Sequence, residues 1–165
     1  MTLDSIWDDV LSRNPRRRSS VHGVDHWVRV ERNGLYLAGK TVADPVVVSL
    51  FALFHDSRRK NDGFDPGHGL RGAEYARSLR EELSLLADEA FEKLIFACTH
   101  HTERRRADDI TVAACWDADR LELGRVGIAP RERFFNTEPA REIVRSGGFH
   151  LLERTNPRDP SRETG

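Results

Sequence analysis

The chain has 165 residues, of which 38% are hydrophobic and 32% are charged, and its formal net charge is -1. This composition is typical of a soluble globular protein with a substantial core, and no apolar run reaches the roughly 18 residues of a membrane span. The near-neutral charge gives no general attraction to nucleic acid, and the acidic N-terminus lacks a signal-peptide pattern, which predicts a cytoplasmic protein.

The first half of the chain predicts three helices. The first covers residues 3–12, where apolar residues recur at helical spacing, and a longer one is predicted over 21–40. Asp44 and Pro45 then form a strong helix start, because a capping aspartate precedes a proline in the first turn. The segment that follows, VVVSLFALF, is apolar on all sides, which predicts a central buried helix.

The second half continues in the same way after a loop at 61–69, which is rich in glycine and proline. Further helices are predicted over 69–86, 88–101 and 108–123, with shorter ones at 130–135 and 138–146. The polar stretch 153–165 predicts a disordered tail. No segment alternates convincingly with period two. The predicted fold class is therefore all-α, a compact helical bundle forming a single domain over residues 1–152.

The cysteines and the arginines give two further predictions. The two cysteines, Cys98 and Cys115, lie in apolar helical stretches and are predicted to be buried free thiols. Arginine outnumbers lysine by 23 to 3, a bias that genomic base composition explains. Guanidinium groups also bind phosphates, so the clusters Arg16–Arg18 and Arg104–Arg106 allow a hypothesis of RNA binding that only their charge supports. We do not expect nucleic acid as a partner.

Six of the seven histidines lie at predicted helix ends or beside apolar faces. They are His22, His26, His55, His68, His100 and His101. A buried polar group without a partner is costly, so several distant segments that all offer His or Asp from apolar surroundings indicate a shared site. His22 and His26 are four residues apart and share one helix face, and His55 and Asp56 end the buried helix.

Two imidazoles and two carboxylates would make a mixed nitrogen and oxygen site for a divalent cation such as Mn, Mg, Fe, Ni, Co or Zn. Nitrogen ligands hold borderline metals and carboxylates neutralise their charge. Four protein ligands on an octahedral ion would leave about two positions for water and substrate. Physical reasoning alone does not choose between Asp117 and Asp119 as the last ligand, because they lie about 200° apart on a helix and cannot both face one ion.

The order of these pieces, H…HD…D, resembles the HD-domain superfamily of metal-dependent phosphohydrolases, in a compact bacterial form. The match covers about residues 20–128 and consists of HWVRV, LFALFHDSRR and WDADRLELGRVG. The resemblance implies a helical bundle with a metal between helices, and it favours Asp119, because the aspartate of an ADRL segment is the family's last ligand. The implied metal ligands are His26, His55, Asp56 and Asp119.

Some family members hold two ions, which gives the other histidines further roles. By the resemblance, His68, His100 and His101 are candidates for a second metal or for lining the pocket, and His22 is a candidate to support the ligands. The general acid or base is not identified by the sequence, and Asp117 would otherwise contact a water or substrate or pair with an arginine. The catalytic candidates are Asp56, Asp117 and His100.

The implied reaction is attack of metal-activated water on a phosphate ester of a small molecule, and the small size of the chain favours a free-standing enzyme acting on a nucleotide. Arg59, Lys60 and Arg71 are the candidates for phosphate binding. The chain has no GYP segment after its late histidines, which argues against a cyclic-di-nucleotide enzyme. Two alternatives stay open: a non-catalytic metal- or nucleotide-binding module, and a di-iron HD-type oxygenase. The sequence does not define the oligomeric state, and a homo-oligomer is compatible with it.

Overall fold

The computed structural model describes residues 1–14 and 20–154, and within these ranges the chain is helical and contains no strand. Its α-helices are α1 (Leu3–Ser12), α2 (Val24–Lys40), α3 (Pro45–Phe54), α4 (His68–Ser78), α5 (Asp88–His100), α6 (Ile110–Arg120), α7 (Glu138–Ser146) and α8 (His150–Glu153). Two short 3-10 helices, Leu123–Val126 and Glu132–Phe134, lie between α6 and α7. The predicted all-α fold class is confirmed.

Helix α3 lies at the centre of the bundle because it is apolar on every side and well capped. The carboxylate of Asp44 accepts hydrogen bonds of 2.8 and 3.3 Å from two backbone N–H groups of the first turn, which also contains Pro45. Residues 47–54 are all buried, and α3 contacts α1, α2, α4, α5 and α6. Burial of each large side chain stabilises the fold by about 1.5–3 kcal/mol. The helix therefore carries His55 and Asp56 into the middle of the bundle.

Two glycines allow α4 to approach its neighbours closely. A Cβ atom on Gly69 would lie 2.4 Å from the carbonyl oxygen of Cys98 in α5, and one on Gly72 would lie 2.3 Å from the carbonyl oxygen of Phe54 in α3. Both distances are too short for any side chain, so these positions require glycine. The close approach places His68, the first residue of α4, beside the ends of α3 and α5.

Several predicted helices have different bounds in the structure. Helix α2 begins at Val24 rather than at residue 21, because residues 20–23 form a turn. Helix α4 ends at Ser78, although helix was predicted over 69–86. Three leucines in the turns that follow reach the core without helical backbone, so tertiary contacts outweigh helix propensity there. They are Leu79, Leu83 and Leu86.

Other bounds agree more closely. Helices α1 and α7 have the predicted ends, while the helix predicted at 130–135 is only a 3-10 helix of three residues. The predicted tail at 153–165 begins inside α8, which includes Glu153. Residues 155–165 of that tail lie outside the described part of the chain. The arginine cluster Arg16–Arg18 lies outside it as well.

The hydrophobic core runs from Ile6 in α1 to Leu152 in α8, and a single domain over residues 1–152 stays a prediction. Cys98 and Cys115 are buried and free, as predicted, and burial raises the pKa of both thiols. Among the described helices, none combines the length and the apolar character needed to cross a membrane.

Candidate metal centre

Four of the predicted metal ligands converge at the inner end of α3. His26 comes from α2, His55 and Asp56 directly follow α3, and Asp119 lies in the last turn of α6. The Nε2 atom of His26 lies 3.2 Å from the Nε2 of His55 and 3.2 Å from the Oδ1 of Asp119. The Oδ2 of Asp56 lies 3.8 and 3.7 Å from the same two ring nitrogens. We name these four residues the first group.

The other oxygen of Asp56 faces a second set of ligands. Its Oδ1 lies 3.2 Å from the Nε2 of His68 and 3.7 Å from the Nε2 of His101, and these two ring nitrogens are 3.0 Å apart. His68 begins α4, and His101 directly follows α5. We name Asp56, His68 and His101 the second group. One carboxylate therefore belongs to both groups, with one oxygen toward each.

Backbone carbonyls fix the orientation of three of these rings. The Nδ1 atoms of His55, His68 and His101 lie 3.0, 2.7 and 2.8 Å from the carbonyl oxygen three residues earlier. A carbonyl only accepts, so each Nδ1 carries the hydrogen and each neutral ring presents a lone pair on Nε2. His26 differs, because its Nδ1 is buried without a hydrogen-bond partner in the described structure.

This donor set suits a divalent cation. The Nε2 lone pairs of His68 and His101 face each other, and two lone pairs repel each other unless a proton or a metal ion lies between them. Ligand atoms at neighbouring corners of an octahedral ion lie about 3 Å apart when the bonds are about 2.1 Å long. The closest ligand atoms of both groups are 3.0–3.2 Å apart. The residues therefore fit one cation in the first group and another in the second.

Burial and charge set the proton affinities of the ligands. Burial lowers the pKa of His55 to about 4, although the charges of Asp56 and Asp119 oppose this shift. Burial alone would raise the pKa of both carboxyls, but the nearby histidines outweigh it and hold both pKa values below the usual range. Burial would also lower the pKa of His101, but the nearby carboxylates of Asp56 and Asp119 raise it. Neutral imidazole and ionised carboxylate are the forms that bind metals.

His22 and Arg125 lie on the more exposed side of the first group. The Nδ1 of His22 lies 2.8 Å from the Oδ2 of Asp56, to which it donates a hydrogen bond. The Nη2 of Arg125 lies 3.2 Å from that same Nδ1 and 3.2 Å from the Nε2 of His26. In the sequence, Arg125 is one of several arginines that could contact phosphate, and Arg59, Lys60 and Arg71 are favoured over it. The place of Arg125 six residues after Asp119, within LELGRVG, was the available signal, and the abundance of arginine in the chain obscured it.

The three predicted phosphate-binding residues follow the His55-Asp56 doublet, and two of them have partners in the protein. Arg59 is buried, with its Nη1 3.1 Å from the Nε2 of His68. Arg71 forms an ion pair of 2.6 Å with Asp65. Lys60 is exposed, and its backbone N–H donates to the carboxylate of Asp65. Phosphate binding by these residues stays a prediction.

The structure does not bring Asp117 to either group, although it was a catalytic candidate. Its fully buried carboxylate accepts hydrogen bonds from the backbone N–H groups of Asn136 (2.9 Å) and Thr137 (2.7 Å) and from both of their side chains. Burial raises the pKa of Asp117 despite these bonds. The correction follows from helix geometry: Asp117 lies about 200° around α6 from Asp119, and its carboxylate joins α6 to the start of α7.

His100, another catalytic candidate, also lies outside both groups. Its ring packs 4.7 Å from the ring of Phe96, and its Nδ1 lies 3.7 Å from the carboxylate of Glu103. The neighbouring His101 enters the second group instead. Consecutive residues near a helix end point about 100° apart, so only one of this histidine pair faces the centre of the bundle. The prediction of a catalytic or metal-binding His100 therefore has no support in this placement.

No family model and no curated protein matches the chain. Among solved structures, it is similar to the crystal structure of a predicted HD superfamily hydrolase from an uncultured Thermotogales bacterium. The two chains are 26% identical, and the match covers 92% of this chain and 87% of that chain with a TM-score of 0.70. Three observations support the assignment of the chain to the HD-domain superfamily: its helical fold, the His-Asp doublet at the end of its central helix and this likeness.

Proposed function

We propose that this protein is a metal-dependent phosphohydrolase that cleaves a phosphate ester of a small molecule, and that its substrate is a nucleotide. The observation that carries the proposal is the convergence of both ligand groups on the two oxygens of Asp56. The similar Thermotogales protein is itself described as a predicted hydrolase, which supports the same general type of reaction. The nucleotide is the narrower part of the proposal.

The first group would hold one divalent cation through His26, His55, Asp56 and Asp119, and the second group would hold another. Their mixed nitrogen and oxygen donors suit Mn, Mg, Fe, Ni, Co or Zn. The two carboxylates carry two negative charges, which a single divalent cation neutralises. A second cation would leave a positive site that attracts an anionic phosphate ester.

When bound, such a cation polarises a phosphoryl oxygen and lowers the pKa of water, so that water attacks phosphorus near neutral pH. The protein supplies the rigid surroundings for this chemistry. The N–H of His22 orients the carboxylate of Asp56, as partners of metal ligands commonly do. His26 and His55 are fully buried, whereas the side chains of Asp119 and His22 are 22% and 15% exposed. Substrate would therefore enter from the side of Asp119 and His22.

A di-iron oxygenase is the second candidate function, and the second group of ligands supports it. Two adjacent sets of histidine ligands that share a carboxylate also suit a pair of iron ions. Consumption of dioxygen by the iron-loaded protein, without phosphate release, would favour this candidate. A protein that binds metal but shows neither reaction would instead be a non-catalytic binding module.

The direct test is metal analysis of the purified protein, followed by assays of phosphate release from a panel of nucleotides and other phosphate esters with Mn, Mg, Ni or Co. We expect a chelator to abolish phosphate release. We expect Asp56→Asn to lower the content of bound metal in both groups and to reduce phosphate release by at least about 100-fold, because it removes the charge that both groups share.

Asp25→Asn is the matched control for this test. Asp25 precedes His26 in α2, but its side chain is exposed and lies in neither group. This variant should keep the metal content and the rate of phosphate release of the wild type. Full metal content in Asp56→Asn would contradict the proposed site. Release of phosphate from non-nucleotide esters alone would contradict the nucleotide substrate while leaving the reaction type intact.

A further inference from the structure

Arg125 lies where the first group meets solvent. Its Nη2 is 3.2 Å from ring nitrogens of both His22 and His26. His26 is fully buried, whereas the side chains of His22 and Asp119 are partly exposed, and Arg125 is itself partly exposed. The guanidinium group therefore stands beside the ligands on the side from which a substrate would approach.

Backbone carbonyls hold this guanidinium group in place. Its Nε donates to the carbonyl oxygen of Val21 at 3.2 Å, and its Nη1 donates to that of Glu122 at 3.0 Å. The residue lies in the 3-10 helix Leu123–Val126, which ends at Gly127 with a φ of +78°. The short helix and the two carbonyls together aim Nη2 at the first group.

Among the described residues, the hydrogens on Nη2 have no acceptor that remains available once a cation is bound in the first group. The Nδ1 of His22 donates its hydrogen to Asp56, so it offers no lone pair to Arg125. The Nε2 of His26 is the atom that would bind the cation of the first group. With that cation in place, neither nearby ring nitrogen could accept a hydrogen bond, so Nη2 would be free to donate to an oxygen of the substrate.

Among the residues that the structure describes, the positive charge of Arg125 has no acidic partner. In the described ranges, no carboxylate lies within 4 Å of its guanidinium nitrogens, whereas Arg29 pairs with the carboxylate of Glu122 at 2.6 Å and Arg71 pairs with Asp65 at 2.6 Å. An unneutralised guanidinium with free hydrogens beside a metal site is suited to bind an oxyanion such as phosphate.

We infer that Arg125 binds the phosphoryl group of the substrate, donating from Nη2 to a non-bridging oxygen while the first group faces the same phosphate. This inference rests on the proposed function and names the side chain that recognises the phosphate. Arg125 is better placed for this role than Arg59 or Arg71, because the guanidinium groups of those two residues lie beside carboxylates, Arg59 3.7 Å from Asp56 and Arg71 2.6 Å from Asp65.

The test measures binding of inorganic phosphate to the Mn-loaded protein by isothermal titration calorimetry, with the metal content of each sample determined in parallel. Arg125→Ala should weaken phosphate binding by about tenfold or more, since a charge-assisted hydrogen bond is lost, while its metal content stays equal to that of the wild type. Arg125→Lys should be intermediate, because lysine keeps the charge without the planar fork. Arg29→Ala is the matched control and should bind phosphate as the wild type does.

Three results would overturn the inference: phosphate binding by Arg125→Ala within about twofold of the wild type, loss of metal from Arg125→Ala and Arg125→Lys, or no phosphate binding by the metal-loaded wild type. The proposed function fails separately, if the wild type binds no metal or hydrolyses no ester. A wild type that binds metal and hydrolyses esters, together with an Arg125→Ala variant that binds phosphate normally, would refute only the role of Arg125.

Discussion

At the scale of single residues, the metal centre depends on histidines placed at helix ends. His55 and His101 each directly follow a helix and donate from Nδ1 to the carbonyl oxygen three residues earlier. The last four carbonyls of a helix lack partners within it, so such a histidine satisfies one of them and turns its Nε2 toward the neighbouring helices. A histidine directly after an apolar helix is therefore a local indication of a ring positioned to bind a metal.

The two helix-end histidines should titrate differently in the metal-free protein. The pKa of His55 is lowered to about 4 by burial, whereas that of His101 is raised, because Asp56 and Asp119 outweigh burial. Below its raised pKa, His101 holds a proton that competes with metal. Metal binding at the second group should therefore weaken as pH falls, by up to about tenfold per pH unit, while His55 stays neutral down to about pH 4.

NMR of the histidine rings in the metal-free protein measures both titrations, and metal titrations at several pH values measure the competition. His101→Gln should abolish the component of metal binding that depends on the protonation of His101. A His101 ring that is neutral throughout the range below pH 6.5, the ordinary value of histidine, would contradict the prediction.

At the scale of elements, the two carboxylates of α6, Asp117 and Asp119, have different surroundings. Asp119 lies in the first group, 3.2 Å from the Nε2 of His26, whereas Asp117 accepts the hydrogen bonds of Asn136 and Thr137. The two residues are two positions apart, so their side chains point about 200° apart around the helix axis. For this reason Asp119 faces the candidate metal centre, whereas Asp117 contacts the segment before α7.

This separation predicts opposite phenotypes for two equivalent substitutions. Asp119→Asn should lower the metal content of the first group. Asp117→Asn should keep the metal but reduce the free energy of unfolding of the metal-free protein by about 2–4 kcal/mol, because its amide group would face N–H donors. Metal analysis and urea unfolding of the metal-free variants measure the two effects. Loss of metal from a folded Asp117→Asn variant would reverse the assignment.

At the scale of the whole molecule, the two groups join five helices through ligands that lie within or directly beyond them: α2, α3, α4, α5 and α6. These ligands come together only when the bundle is folded. Metal binding should therefore stabilise the folded state over the unfolded state, and a bound metal would act as a crosslink among helices that are distant in sequence.

Removal of metal should lower the melting temperature. Free metal at 100 times its dissociation constant stabilises the folded state by about 2.7 kcal/mol, which corresponds to a shift of about 5–10 °C for a chain of this size. Differential scanning calorimetry with and without chelator measures the shift. Asp56→Asn should melt at the same temperature in both conditions. An unchanged melting temperature of the wild type after verified metal removal would contradict this prediction.

Much of the fold and part of the candidate site could be predicted from the sequence, because those features depend on neighbouring residues. Apolar spacing predicted the helices, Asp44 and Pro45 marked the start of α3, and the apolar run placed His55 and Asp56 at the inner end of a buried helix. Each of these signals lies within one turn or one helix, so no knowledge of distant contacts was needed.

The tertiary structure alone decided which of the other candidates meet the four ligands that the family resemblance implies. It turned His101 rather than His100 toward His68, directed Asp117 away from the centre, and brought Arg125 beside a helix that lies about 100 residues earlier in the chain. These outcomes depend on the rotation of each helix about its axis and on close approaches such as that of α4 to α5. Local periodicity contains no information about either, because both are set by the packing of distant segments.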